Sequence, residues 1–240
     1  MTMQKMFFTL AACFIVSALT AQQTVIKDPN AQVRSVEDFH ALKVATGIHL
    51  YLTQGNEKVV VVSAADPVYR NRIHTEVRDG VLSIYYENEM GNWHDNNRKE
   101  LKVYVSCIRL DGLHTSSGAQ VEVDGTLKSA NLAMDFSSGS SFTGKVEAED
   151  LRVEEGSGAR STISGKAGHL KAGASSGSSL HGYDLQVEQC DVNVSSGGRV
   201  DISVEKALAA SAHSGGHVSY QGSGVITEVH TSSGGSISRK

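Results

Sequence analysis

Seven glycines recur along the second half of the chain at nearly constant spacing: Gly118, Gly139, Gly158, Gly177, Gly197, Gly215 and Gly234. The gaps between them are 21, 19, 19, 20, 18 and 19 residues. Five close a Ser-Ser-Gly triplet, as in Ser116-Ser117-Gly118 and Ser232-Ser233-Gly234; two drift to Gly156-Ser157-Gly158 and His213-Ser214-Gly215. A fixed period of this length marks a repeat architecture, in which each copy is one coil that cannot bury its apolar face alone. It also weakens any reading in which one triplet serine is a nucleophile.

The residues around each glycine identify the kind of coil. Seven, five and three residues before Gly139 stand Leu132, Met134 and Phe136; before Gly197 the same offsets give Cys190, Val192 and Val194. The copy before Gly158 keeps Leu151 and Val153 but has Glu155 third. Alternation of apolar and polar residues has period two, which means β-strand with one face buried. Three residues after the glycine come Val121, Phe142, Leu180, Val200, Val218 and Ile237. In the Gly158 copy the apolar residue, Ile163, stands two places late, which predicts a bulge or register shift there. A third, weaker apolar position follows at Leu127, Val146, Ala167, Leu185 and Val204.

These patterns predict an all-β parallel β-solenoid, or β-helix, of about seven coils of ~19 residues over 107–240, with equivalent strands stacked roughly 4.8 Å apart. The glycines are expected at corners, with positive φ and where a side chain would clash with the coil above.

Composition sets outer limits. The net charge of −4 gives no reason to expect a nucleic-acid partner. Residues 1–21 read as a signal peptide, with Lys5 followed by an apolar run from Met6 to Leu19 and cleavage after Ala21. Leu10-Ala11-Ala12-Cys13 has lipobox form, so a lipoprotein anchored at Cys13 is the alternative to secretion into the periplasm or onto the cell surface. The apolar run continues past Cys13, which favours ordinary secretion. No later segment approaches the roughly eighteen apolar residues of a membrane span. Cys107 and Cys190 could pair, but Cys190 occupies a leucine row and reads as a buried free thiol.

After a linker at 22–32, residues 33–106 read as an irregular β region that caps the solenoid. Strands are expected at Phe39–Val44, Ile48–Gln54, Lys58–Ala64, Ile73–Arg78, Val81–Tyr86 and Leu101–Val105, with a hairpin turn at Asp79-Gly80. The polar segment Glu87–Glu100 contains the only tryptophan, and Trp93 with His94 forms a candidate ligand loop, Tyr85 and Tyr86 lying nearby.

Taken in order, Val36-Glu37-Asp38-Phe39-His40-Ala41-Leu42-Lys43-Val44, then Gly47-Ile48-His49-Leu50-Tyr51-Leu52, the Asp79-Gly80-Val81-Leu82 hairpin and the Ser-Ser-Gly coils resemble the head GIN domain family of autotransporter-type adhesins. Gly47-Ile48-His49 stands where that family has a Gly-Ile-Asn-like element. The resemblance spans residue 33 to the end. It implies a right-handed solenoid exported to the envelope of Gram-negative bacteria, and it transfers no catalytic residue.

Candidate chemistry is sparse. His213 and His217 flank a corner on outward columns, so no metal or cofactor is assigned. Glu147, Glu149, Asp150, Glu154 and Glu155 form the densest acidic cluster, the best argument for a carbohydrate-active lyase or hydrolase; alternation with apolar residues reads them instead as a solvated strand face. The favoured reading is a non-enzymatic adhesin-like binder of a glycan or surface protein, or a scaffold, with self-association through the solenoid ends as a further option.

Overall fold

The computed structural model describes residues 28–88 and 98–240; the signal-peptide reading, Cys13, Trp93 and His94 fall outside them. Strands β1 (Gln32–Arg34), β2 (Ala41–Val44), β3 (His49–Gln54) and β4 (Val59–Ser63) precede one helical turn, α1 (Pro67–Arg70). Next come β5 (Ile73–Arg78), β6 (Val81–Tyr86), β7 (Lys102–Cys107) and β8 (Gly112–Thr115). The long bent strands β9 (Gln120–Phe136), β10 (Ser141–Glu155), β11 (Arg160–Ala174), β12 (Ser179–Val194) and β13 (Arg199–Ala212) follow. Short β14 (His217–Gln221), β15 (Val225–Thr231) and β16 (Ser236–Arg239) complete the series. The fold is all-β, a parallel solenoid of about seven turns.

Each coil has three sides. Side one follows the corner glycine, stacking Val121, Phe142, Ser161, Leu180, Val200 and Val218 in parallel register. On side two the weak third position divides between two rows, one of Leu127, Val146, Gly165 and Leu185 and one of Ala148, Ala167, Val187 and Val204; Leu127, Val146, Ala167, Leu185 and Val204 are all buried. Side three precedes the next corner and stacks Leu132, Leu151, Leu170, Cys190 and Leu208. The inward rows of all three sides form one continuous core. Cys107 and Cys190 are both free and buried; burial pushes the Cys107 thiol up to about 11 and raises Cys190 further, leaving both inert.

At each corner the serine and the glycine after it are both left-handed, for example Ser176 at φ 52° and Gly177 at φ 72°. The four-residue turn closes with Ser178 N–H donating to the Ser175 carbonyl at 3.1 Å, the arrangement of a type I′ turn. Corners also bond to one another, Gly158 N–H donating to Ser176 O at 3.1 Å. A Cβ built on Gly118, Gly139, Gly158, Gly177, Gly197, Gly215 or Gly234 meets nothing within 4 Å. The expected clash with the coil above is therefore absent, and dihedral sign alone favours glycine. A small-residue row just past the corner is where space runs out: a Cβ at Gly198 or Gly216 would lie 2.5 Å from a carbonyl oxygen of the preceding coil.

The register shift expected at Ile163 is present on one side of its coil: β10 and β11 keep one register from Ser141↔Arg160 to Ala148↔Ala167, whereas the pairing of β11 with β12 shifts between Thr162 and Gly165. Ile163 occupies the second inward row, and the first is taken by Ser161, which is buried. Ser161 Oγ donates to Glu155, itself 4 % exposed, so this coil carries a polar pair inside the core.

The parallel ladder runs into the N-terminal region. β2 pairs with β8 and β3 with β9, and between them Thr46 and Gly47 repeat the corner at φ 61° and 68°. Gly47 N–H donates to Ser117 O, in line with the other corners. On its other side this coil pairs in parallel with β6 and β7, so it lies between two coils that follow it in sequence. β4 adds antiparallel to β7, β1 to β4, and β5 to β6 through the Asp79-Gly80 turn. These antiparallel strands occupy the sheet edges at that end.

Candidate binding groove

Outward residues on the solenoid also form rows, because register repeats from coil to coil. On side three, eight residues before each corner glycine, Asn131, Asp150, His169 and Gln189 stand in one row. Two residues on, the row is Ala133, Arg152, Lys171, Asp191 and Ala209. The alanines at its two ends and Gly173 in the next row leave the surface concave. The resulting depression has a volume of about 670 Å³ and crosses the coils from Asn131 to Ala207. A second, of about 520 Å³, adjoins it through Lys171, Asp191 and Ala209 and reaches Asn193 and Ser211.

Charge along the groove is locally balanced. His169 Nδ1 lies 3.2 Å from Asp150 Oδ1 on the coil below, and Arg152 lies 3.3 Å from Glu154 on its own strand. Amides, paired ions and the Ser211 hydroxyl thus alternate donors and acceptors along the axis. Such a surface suits an extended polyhydroxylated or peptide-like chain, each coil offering a similar set of partners to each unit of the ligand.

The acidic cluster divides among different surroundings. Glu147 faces side two, where the Lys128 ammonium at 2.9 Å holds its carboxyl below the usual range. Asp150 and Glu154 are paired in the groove. Glu155 points into the core, where burial raises its pKa to about 7. Glu147 and Glu149 line a depression on side two with Lys128 and Lys166, and Asp150 and Glu154 lie on side three, so the cluster is split between two faces instead of gathered around one cleft. His213 and His217 each reach a serine of the next coil, Ser232 and Ser236, rather than one another.

The aromatics separate as well. Tyr86 is buried, with the Lys99 ammonium 4.9 Å from its ring centroid. Tyr85 is half-buried and stacks on His74 at 4.9 Å. Trp93 and His94 lie outside the described residues. The groove itself was not anticipated from sequence. Its signal is an outward row of Asn, Asp, His and Gln at a constant offset, visible only once repeats are aligned on their polar positions.

Solved structures similar to this fold share little sequence with it. A "putative adhesin" from Bacteroides fragilis superposes with a TM-score of 0.78 at 16% identity, covering 88% of this chain and 96% of that one. A "putative adhesin" from Parabacteroides merdae gives 0.67 at 13% identity, with 88% and 95% covered. A "putative lipid binding protein" from Parabacteroides distasonis gives 0.65 at 16% identity, with 89% and 98% covered. No curated protein matches the chain. A family model described as "Putative auto-transporter adhesin, head GIN domain" matches residues 38–224. The order of motifs, the coil architecture and this match agree, and the chain belongs to the head GIN domain family of adhesins.

Proposed function

We propose that this protein is an exported, envelope-associated adhesin whose primary role is non-catalytic binding of an extended glycan along the groove on side three. The observation that carries this reading is the run of polar partners repeated coil by coil along a concave face. Membership of an adhesin family supports a surface-facing role. Binding by the purified mature domain to a glycan array tests it. Ala133→Trp with Ala209→Trp fills the groove from outward positions and should abolish binding while thermal unfolding stays unchanged. Binding that survives those changes but is lost in Trp93→Ala would move the site to the β6–β7 loop.

Export by signal peptide is part of the same proposal. Intact mass of the mature protein should correspond to a start at Gln22; a diacylated Cys13 would overturn secretion in favour of a lipid anchor. Self-association belongs here too. β15 pairs on one side only, with β13, and leaves Val225, Ile226 and Val229 exposed at 67%, 41% and 45%. Light scattering should show association that Val229→Glu removes; a monomer at high concentration would refute it.

A further inference from the structure

On side one, a face separate from the groove, three side chains of two adjacent coils form a connected chain of hydrogen bonds. Ser179 Oγ lies 3.1 Å from His181 Nε2. His181 Nδ1 lies 3.1 Å from Asp201 Oδ2. Asp201 is 6% exposed, whereas half of the His181 side-chain surface is open to solvent. The ladder sets this geometry. Ser179 and His181 are two apart on β12 and so share its outward face, and register places Asp201 of β13 directly beside His181.

The chemistry of the three groups fixes the direction of each bond. An ionised carboxylate only accepts, so Nδ1 carries the proton and donates it to Asp201. Nε2 is then the bare nitrogen, able to accept from the Ser179 hydroxyl. A buried acid that orients a histidine, which in turn polarises a half-buried serine, is the arrangement of acyl-transfer nucleophiles on unrelated folds. Register also flanks Ser179 with Arg160 on β11 and Arg199 on β13. Arg199 lies 3.8 Å from Asp201 Oδ1, and Arg160 is exposed. Each stands one rung from Ser179, and a guanidinium turned toward it would supply positive charge and N–H donors to a developing oxyanion.

We propose that Ser179, His181 and Asp201 form an esterase site for short acyl groups carried on an extended polymer, such as O-acetyl groups on a glycan. The neighbours of the site are polar (Arg160, Arg199, Thr162), so nothing there favours a long apolar acyl chain, and the open face admits a polymer. Ser179 Oγ attacks the ester carbonyl carbon as its proton passes to His181 Nε2. The C–O bond to the sugar breaks, and the leaving oxygen takes that proton. Water then attacks the acyl-serine by the reverse route, releasing acetate and restoring the serine. This activity would stand beside binding, and it is the point at which a wholly non-catalytic reading would fail.

The test uses the purified chain, a fluorophosphonate probe and p-nitrophenyl acetate. Mass spectrometry should place the probe on Ser179, and Ser179→Ala should lose both labelling and hydrolysis. His181→Gln should lower the hydrolysis rate about 100-fold. Ser179→Ala lies on the outward face, so loss of folding does not confound it; Asp201→Asn is interpreted only beside its unfolding curve. Hydrolysis that persists in Ser179→Ala, or absence of any probe on Ser179, would overturn the proposal.

Discussion

Two adjacent coils place opposite chemistry at the same two inward positions. The Gly139 coil has Phe136 and Phe142, buried and stacked with ring centroids 5.3 Å apart. One rung further, register puts Glu155 on Phe136 and Ser161 on Phe142. The backbone of the two rungs is the same, with corners at φ 51° and 69° in one and 50° and 72° in the other. Ladder hydrogen bonds and corner dihedrals therefore hold the coil geometry even where the core is polar. What the side chains change is stability and its dependence on pH.

The largest effect should come from the aromatic rung. Phe142→Ala removes one ring of a stacked, buried pair and should cost about 3–5 kcal/mol, measured by denaturant unfolding. A cost below that of an ordinary core methyl would mean that the ladder alone carries the rung.

Next is the polar rung's response to pH. Burial first, opposed by the Ser161 hydrogen bond, raises Glu155 from 4.5 to about 7. Its register neighbours on the flanking coils are Phe136 and Ala174, neither of them charged. A raised folded pKa means that the native state binds the proton more tightly than the unfolded chain. The stabilisation is thus complete below 4.5, falls as pH rises and is gone above about 7. The whole change is about 3 kcal/mol. Glu155→Gln should flatten this part of the stability–pH curve; an unchanged slope would show that Glu155 is not the group responsible.

Ser161→Ala is smaller and sharpens the comparison further. It removes the donor to Glu155 and should cost about 1–3 kcal/mol at neutral pH. Because that hydrogen bond lowers the Glu155 pKa, the fall in stability should also extend to higher pH. Smallest is the corner. Gly177→Ala imposes a left-handed alanine and should cost about 1–2 kcal/mol, with no added steric penalty in open space. A much larger loss in thermal unfolding would restore the steric explanation.

The inward rows were legible because period-two alternation survives repetition: Leu132, Leu151, Leu170 and Leu208 name one column directly. The weak third position marked a buried side of the coil but not its register, since Val146 stacks on Gly165 and Ala167 on Ala148. Glu155 was visible as an exception, but its partner was not. Ile163 signalled the register shift toward β12, whereas Ser161 in the first inward row carries no hydrophobic signal. The coil at Thr46-Gly47 escaped notice because the serines are missing and because it is inserted between coils that follow it in sequence, an order that periodicity cannot encode. The groove and the Ser179–His181–Asp201 chain depend on outward residues one coil apart, about twenty positions distant in sequence, and they come together only through register.

The empty space beside the corner glycines has a practical meaning. Seven exposed bends stand in line along one ridge of the rod, and a change made on the ridge disturbs neither the apolar rows nor the groove. The ridge is accordingly the natural place to splice in new segments, by evolution or by design, with the rod serving as a ruler that spaces them one rung apart.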